Sequence, residues 1–522
     1  MKFNIKPIQK TLFVTALLVS GACSDFLEEK DPSNIAPNTF FTEPEHAEVA
    51  VNGIYENLRF HGAGAGIFSA NFQMLDAFSG TAETETGQNS DLNNLYSFQH
   101  TGDNLHLTQW WRELYEGIGN ANLAIKRIPE IPAIEEDDLK KWVGHARFLR
   151  AFHYFWLVRL WGDVPLLTEP IASWTSPEVT PNRAPKEDVY ALIEQDLLYA
   201  EGAGFPMMDA SGRASLAAVK SMLARLYLTM AGYPLNRGKE YYDKAAAKAK
   251  EVIDYANGHP KEIHLFRTYD SLHIIATENR AEHIFGIQYA AGVANNEYQA
   301  YFLPNNTNIT ASGEVGTTVP TKSFLATFET NDIRRGKQGD SREAWRDKQF
   351  FFRQYYKDGN GDTVDLAKSY VYKHFDVIAN GTHGTAGTGQ ADLNYPIVRY
   401  ADVLLMFAEA QNASTGPSID VENALNAVRS RAGLPAVTGV SQSQMQEAIW
   451  RERWHELCYE GITWFDMQRL HKVYNETNNT FVEFEGATLS TGVVLQKKHL
   501  LLPLPANDYR NNTNLRPNND GW

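Results

Sequence analysis

Cysteine is nearly missing from this chain: Cys23 and Cys458 are the only two. With lipid on Cys23, as argued below, no disulfide can form within the chain. There is also no CxxC pair, no HExxH helix and no zinc-ligand spacing. Basic charge is short as well, with 48 Lys and Arg against 63 Asp and Glu and a formal net charge of −15. Binding to phosphate backbones needs clustered cations, so the composition argues against nucleic acid as a partner. It argues equally against a polybasic membrane-surface mode. Beyond the first two dozen residues no hydrophobic run reaches the roughly 20 residues that a spanning helix needs.

What is present begins at the N-terminus. Lys2, Lys6 and Lys10 precede a short apolar stretch from Thr11 to Ala22, and Ser20, Gly21 and Ala22 lead into Cys23. This pattern reads as a secretion signal over residues 1–22, with Cys23 as the lipidated first residue of the mature chain. The position three before the cysteine holds Ser20 where a lipobox prefers Leu, so an ordinary cleaved signal is the alternative. Removing the three lysines takes 48 basic residues to 45 against 63 acidic ones, and the net charge from −15 to −18. Residues 23–40 follow as a tether, acidic and proline-containing (SDFLEEKDPSNIAPN), suited to an extended leash. Acidic residues close behind a lipidated cysteine resemble the export signal of surface-exposed lipoproteins.

From residue 41 the chain reads as one domain to residue 522, mainly α. Thr42-Glu43-Pro44-Glu45 predicts a capping box opening the first helix. Further helical periods cover Leu105–Ile128, Asp138–Trp161, Glu187–Ala203, Arg213–Ala231, Glu240–Ala256, Pro396–Ala413, Val421–Ala432 and Ser443–Leu470. Their pairing suggests a tetratricopeptide-like architecture of paired helices with long irregular loops and a few short strands. The helical scaffold is expected over 41–260 and 396–522. Two stretches break the period, 61–104 and 260–395, and loops of this length are where binding residues concentrate.

Five blocks stand in order behind Cys23: HARFLRAFHYFWLVRLWGDVPLL, YPIVRYADVLLMFAEA, LNAVRSRAGLP, RERWHELCYEGITWFDMQRL and LLPLPANDYRNNTNLRPNNDGW. Together they resemble the SusD/RagB family of outer-membrane nutrient-binding lipoproteins. The resemblance implies helix pairs packed behind an irregular ligand-binding region. It also implies a partner, a SusC-like TonB-dependent outer-membrane barrel, with the lipoprotein facing the extracellular side. The implied role is non-catalytic capture of oligosaccharides; the RagB branch of the family serves peptides instead.

Sugar rings offer C–H patches on their faces and hydroxyls at their edges, so a glycan site interleaves aromatic rings with planar polar groups on loops. DLNNLYSFQH supplies Asn94, Tyr96 and Phe98; NNEYQAYF supplies Asn296, Tyr298 and Tyr301; and Trp345 stands in a strongly polar setting. The competing reading is that loop aromatics anchor their loops to the core. Trp110 and Trp111 cannot share a helix face, so one is expected inside and the other free to reach the site. In KDGNGDTVD, Asp358, Asn360 and Asp362 alternate like calcium ligands, but the twelfth position is Ser369, not Glu. A hairpin turn is the simpler reading, and no cofactor is required.

The charged block around Glu452, His455, Glu456 and Glu460 admits a catalytic reading by residue type. Its spacing favours helix-surface pairing, Arg453 with Glu456 and Asp466 with Arg469, with Cys458 as a small buried hydrophobe. A surface glycoside hydrolase would need two carboxyls flanking a cleft. A protein-binding adaptor would show a polar groove without exposed aromatics.

Overall fold

Helical periodicity becomes a stack of paired helices in a computed structural model, which describes residues 40–173, 175–305, 315–335, 350–352, 355–357, 363–365, 369–375 and 391–522. Cys23, the tether to residue 39, Trp345, Asp358, Asn360 and Asp362 lie outside the described residues.

Helix α1 (Glu45–Asn57) buries Ala47, Val51 and Ile54 along one face. No side chain caps it. The Thr42 capping box is absent because the His46 ring takes over, its Nδ1 accepting from the backbone N–H groups of Thr42 at 3.2 Å and Glu43 at 3.1 Å. The stretch 61–104, expected to be irregular, contains α2 (Gln73–Ser79) and α3 (Ser90–Tyr96). Each is about two turns, too short to show a period in the sequence.

Helices α4 (Leu105–Arg127) and α5 (Glu136–Trp161) pack together. From Trp142 to Trp161 every α5 residue but Arg147 and Arg159 is buried, so α5 runs through the centre, its buried polar side chains paired there, Arg150 with Asp196, His145 with Tyr55 and His153 with Asn57. Helices α6 (Lys186–Glu201), α7 (Leu216–Ala231) and α8 (Lys239–Gly258) follow, each against its predecessor. Ser215 starts α7 by accepting from Ala218 N–H at 3.2 Å. The chain then leaves the stack for residues 259–395, with the short helices α9 (Tyr298–Phe302) and α10 (Lys322–Ala326). It returns as α11 (Tyr400–Thr415), which packs directly on α8, followed by α12 (Ile419–Arg431), α13 (Gln442–Glu456), α14 (Thr463–Leu470) and α15 (Ala506–Asn511).

Two helix assignments are corrected. Tyr395–Arg399 is a strand and not the start of α11, because it pairs antiparallel with His283–Ile287 at the mouth of the excursion. The predicted helix Ser443–Leu470 is two helices, broken where Tyr459 and Gly461 turn left-handed at φ +57° and +66°. The described strands form two-stranded antiparallel ribbons. One pairs Tyr355–Lys357 with Thr363–Asp365, as the hairpin reading of 357–365 expects.

The excursion is bolted to the stack by buried charge. Arg334 meets Asp332 at 2.7 Å, Glu452 at 2.6 Å and Glu456 at 3.0 Å. Arg399 meets Glu282 at 2.7 Å, Glu456 at 3.0 Å and Glu460 at 2.7 Å. Arg431 bridges Glu456 at 2.7 Å and Glu282 at 2.5 Å, and Lys373 meets Glu460 at 2.5 Å. Burial alone would raise the Glu456 carboxyl; Arg431, Arg399, Arg334 and Lys373 outweigh it and hold it below the usual carboxylate range. The expected Arg453–Glu456 pair does not form, since Arg453 turns to Asp402 and Asp466, each at 2.8 Å. Asp466 and Arg469 do pair, at 2.8 Å. Cys458 is fully buried and its thiol is pushed up to about 12 by burial, the inert state expected of it.

Candidate functional site

The two irregular stretches meet. Ala82–Glu83 pairs antiparallel with Val319–Pro320, and Glu85 N–H donates to Gly316 O at 2.9 Å. The Glu85 carboxylate accepts from Tyr370 Oη at 2.6 Å and Asn305 N–H at 3.3 Å. Gln73 Nε2 donates to the hydroxyls of Thr317 at 3.0 Å and Thr318 at 2.7 Å. Deeper in, Tyr298 Oη bonds His61 Nδ1 at 2.8 Å and Tyr289 Oη at 3.0 Å. Its ring stacks on Tyr395, centroids 4.7 Å apart. Burial pushes His61 down to about 3, with His374 adding to it, so this joint is neutral at ordinary pH.

The same joint corrects the expected ligand residues. Tyr96, Phe98, Asn296, Tyr298 and Tyr301 are all buried; Tyr298 is 1% exposed. Tyr96 Oη donates to Thr317 O at 2.7 Å, Phe98 packs on Phe78 and Trp464, and Asn296 Oδ1 accepts from Tyr298 N–H at 2.9 Å. Tyr96, Tyr298 and Tyr301 fasten one loop to the other, Phe98 and Asn296 hold their own loops in place, and a ring so enclosed offers no face to a sugar. Asn94 is half-buried at the end of α3 and remains at the surface. Both tryptophans of the adjacent pair are buried: Trp110 Nε1 donates to Asn71 O at 2.9 Å, and Trp111 packs on Trp161.

What the surface displays instead is the tip of residues 62–70. Ile67 is 63% and Phe68 42% exposed, and Phe68 holds φ at +54°, a strained backbone for a bulky residue. The tip is braced on three sides. Ala65 N–H donates to Ser69 O at 2.8 Å, Ser69 Oγ bonds His106 Nε2 at 2.9 Å, and Asn89 Nδ2 donates to Ile67 O at 2.9 Å. Asn89 also caps α3, accepting from Leu92 N–H at 2.9 Å, so the tip sits against the start of the helix that carries Asn93 and Asn94. Beside it a second loop, closed by Ala294 N–H to Ala290 O at 2.7 Å, holds up Val293 at 89% exposure. The two loops touch at their bases, where a Cβ on Gly62 would stand 2.7 Å from Tyr289 Oη.

A groove of about 780 Å³ opens beside the tip and runs along α4 against residues 165–181 and 507–515. Leu105, which lines its near end, also lies 3.5 Å from where a Cβ on Gly66 would be. Gln109, Tyr115 and Asp508 line the rest, over a floor made by the buried Trp111 and Asn122. Rings and planar polar groups in one concave surface of this size suit an extended polar ligand with apolar faces. The Asp508 carboxyl is raised, chiefly by burial. In the sequence the only signal of this tip is the apolar pair that ends Gly62-Ala-Gly-Ala-Gly-Ile-Phe68, which lacks the interleaved Asn or Gln of a glycan site. By contrast Glu452, Glu456, Glu460 and His455 are enclosed, the glutamates on arginine and lysine and His455 Nε2 on Thr327 Oγ1 at 2.8 Å, so this block cannot reach a substrate. Among the described residues no group of His, Cys, Asp and Glu could hold a metal ion.

Comparison with known proteins places this architecture. A crystal structure of a SusD superfamily protein from Parabacteroides distasonis superposes with a TM-score of 0.84 at 33% identity, covering 92% of this chain and 99% of that one. The chain belongs to the SusD superfamily. Residues 346–522 match the SusD family, and residues 25–228 match the family described as starch-binding associating with outer membrane. SusD-like protein P2 of Formosa agariphila is 28% identical over 98% of this chain and 99% of its own length. A laminarin-binding SusD-like protein shares the fold at 22% identity, with a TM-score of 0.72 over 92% of this chain and 100% of that one. No described helix of this SusD-like chain is long and apolar enough to cross a membrane.

Proposed function

We propose that this protein is a cell-surface receptor, anchored in the outer membrane by lipid on Cys23, that captures oligosaccharides without cleaving them. It passes them to a SusC-like TonB-dependent barrel. The observation that carries the reading is the braced Phe68 tip: a strained, solvent-exposed ring at the junction of two loop systems, opening on a groove of rings and amides. Strain of this kind persists only where the surroundings enforce it. Family membership and a laminarin-binding neighbour of the same fold support the choice of ligand class.

Isothermal titration of the lipid-free protein, residues 24–522, against laminarin and other soluble oligosaccharides tests it, with reducing-sugar release followed in parallel. Binding without release, weakened about tenfold or more by Phe68→Ala, is the expected result; one aromatic stacking contact of about 1.4 kcal/mol is a factor of ten. Sugar release sinks the non-catalytic reading. Silence on every glycan with binding of peptides makes the protein a RagB-type receptor. Labelled fatty acid incorporated by the wild type and lost in Cys23→Ala tests the anchor.

A further inference from the structure

Phe68 is 42% exposed, so its own burial does not hold it in the left-handed conformation. The neck of the tip is closed by backbone bonds, Ala65 N–H to Ser69 O at 2.8 Å and Asn71 N–H to Ala63 O at 3.0 Å. Neither reaches the peptide between Ile67 and Phe68. That peptide is a rigid plane, so whatever orients the Ile67 carbonyl also orients the Phe68 N–H, the bond about which φ of Phe68 is measured. Among the described residues one side chain bonds this carbonyl. Asn89 Nδ2 donates to Ile67 O at 2.9 Å and to Ala65 O at 3.3 Å, so a single amide spans the turn on either side of Gly66. Glycine there permits the approach: a Cβ on Gly66, at φ +92°, would stand 3.0 Å from Asn89 Nδ2.

The other end of the Asn89 amide is equally committed. Its Oδ1 accepts from Leu92 N–H at 2.9 Å and starts α3, which fixes the amide with its acceptor toward the helix and its donors toward the tip. The side chain is buried, so water does not compete for these bonds. Only an amide serves both partners. Asp caps a helix as well as Asn does, but here it would turn an oxygen on two carbonyls. Ser also caps, but its hydroxyl ends one bond short of the tip.

We propose that Asn89 is a positioning residue of the ligand site: it fixes the Ile67–Phe68 peptide before the ligand arrives and so presents the Phe68 ring in its binding conformation, without touching the ligand. This role rests on the glycan-receptor reading of the tip. A site ordered in advance loses less freedom on binding, whereas a tip released from Asn89 has to be ordered by the ligand itself.

Titration of Asn89→Asp and Asn89→Ser, as lipid-free protein, with laminarin and the other soluble oligosaccharides tests it. Both variants keep an acceptor for Leu92 N–H, so α3 is expected to survive, with folding checked by circular dichroism; should one fail to fold, the other carries the test. Each is expected to bind about tenfold more weakly at pH 7. In the Phe68→Ala background the further loss is expected to vanish, because Asn89 acts through that ring. The pH profiles should also differ. Burial against two carbonyls raises the introduced carboxyl of Asn89→Asp above its ordinary value of about 4, and once protonated it can donate to the tip again. Its deficit relative to the wild type therefore narrows from pH 7 to pH 5, while that of Asn89→Ser stays constant. His106, which bonds the tip through Ser69, is pushed down to about 3 by burial and stays neutral over this range. An asparagine that merely caps a helix would show neither signature. Wild-type affinity in both variants, a loss that persists without Phe68, or equal pH profiles overturns the inference. If Phe68→Ala binds as the wild type does, or no oligosaccharide binds at all, the tip reading fails and takes the role of Asn89 with it. If Phe68→Ala weakens binding and the Asn89 variants do not, only the role of Asn89 fails.

Discussion

Two of the joints that hold the excursion 259–395 to the rest of the molecule are built from opposite chemistry. One is ionic: Arg334, Arg399, Arg431 and Lys373 against Glu282, Glu452, Glu456 and Glu460, all out of water. The other is neutral: His61, Tyr298, Tyr289 and Tyr395, joined by hydroxyl–imidazole bonds and ring packing. The ionic joint lies against α13, on the helical stack, and the neutral one lies under the exposed tip. Each joint also hides the residues that most resembled a functional site: a glutamate cluster on one side, loop aromatics on the other.

The sharpest test of the difference is to unpair the ionic joint. Glu456→Ala leaves Arg334, Arg399 and Arg431 short of a counter-charge and is expected to cost about 3–5 kcal/mol, read as a fall in denaturation midpoint. A loss under 1 kcal/mol would mean that the network carries no weight.

Acid should loosen the whole molecule in two stages. His61, His106 and His145 are pushed down to about 3, and His153 and His374 to about 4, chiefly by burial. The unfolded chain therefore takes up their protons first, and stability falls as pH drops below about 6.5. Glu456, Glu460 and Asp402 add a second loss. Burial raises each, but arginines outweigh it and hold them low, so their contribution is complete above about pH 4.5 and disappears as pH falls through the folded values. Denaturant midpoints measured from pH 8 to pH 3 should show both slopes; a flat profile between 6.5 and 5 contradicts the first.

Tyr298→Phe breaks the neutral joint more gently. It strands His61 Nδ1 and is expected to cost about 1–3 kcal/mol without a direct effect on ligand contact. If titration then shows binding lost at full stability, Tyr298 touches ligand after all. The smallest change in stability, and the one of opposite sign, is Phe68→Gly. It removes a left-handed backbone penalty of about 1–2 kcal/mol, so the protein should unfold later while binding oligosaccharide worse. Parallel loss of both would remove the case for a tip strained for function.

Helix order was legible because helical spacing survives in α4 to α8, with one face buried in α4, α6 and α8 and nearly the whole circumference in α5 and α7. Where it failed, competing partners explain the failure: His46 displaced the Thr42 cap, and His283–Ile287 drew Tyr395–Arg399 into a ribbon. The candidate groove lies along α4, 165–181 and 507–515, outside the two irregular stretches, and its residues were not legible in the sequence. Tyr96 and Tyr298 carry the composition of a sugar-binding surface, yet each found a partner across the junction, and Phe98 found one in Trp464, while Phe68 sits in a run with no such composition and is exposed.

The sequence by itself determined the superfamily, the helical stack, the acidic character and the location of the two excursions, since these rest on local periodicity and on composition. Only the tertiary structure decided which aromatics face water, which glutamates face arginines and where cavities open. Those properties belong to contacts between residues as far apart as His61 and Tyr298, or Arg334 and Glu456, and no local pattern encodes which of two equivalent rings will meet a partner first.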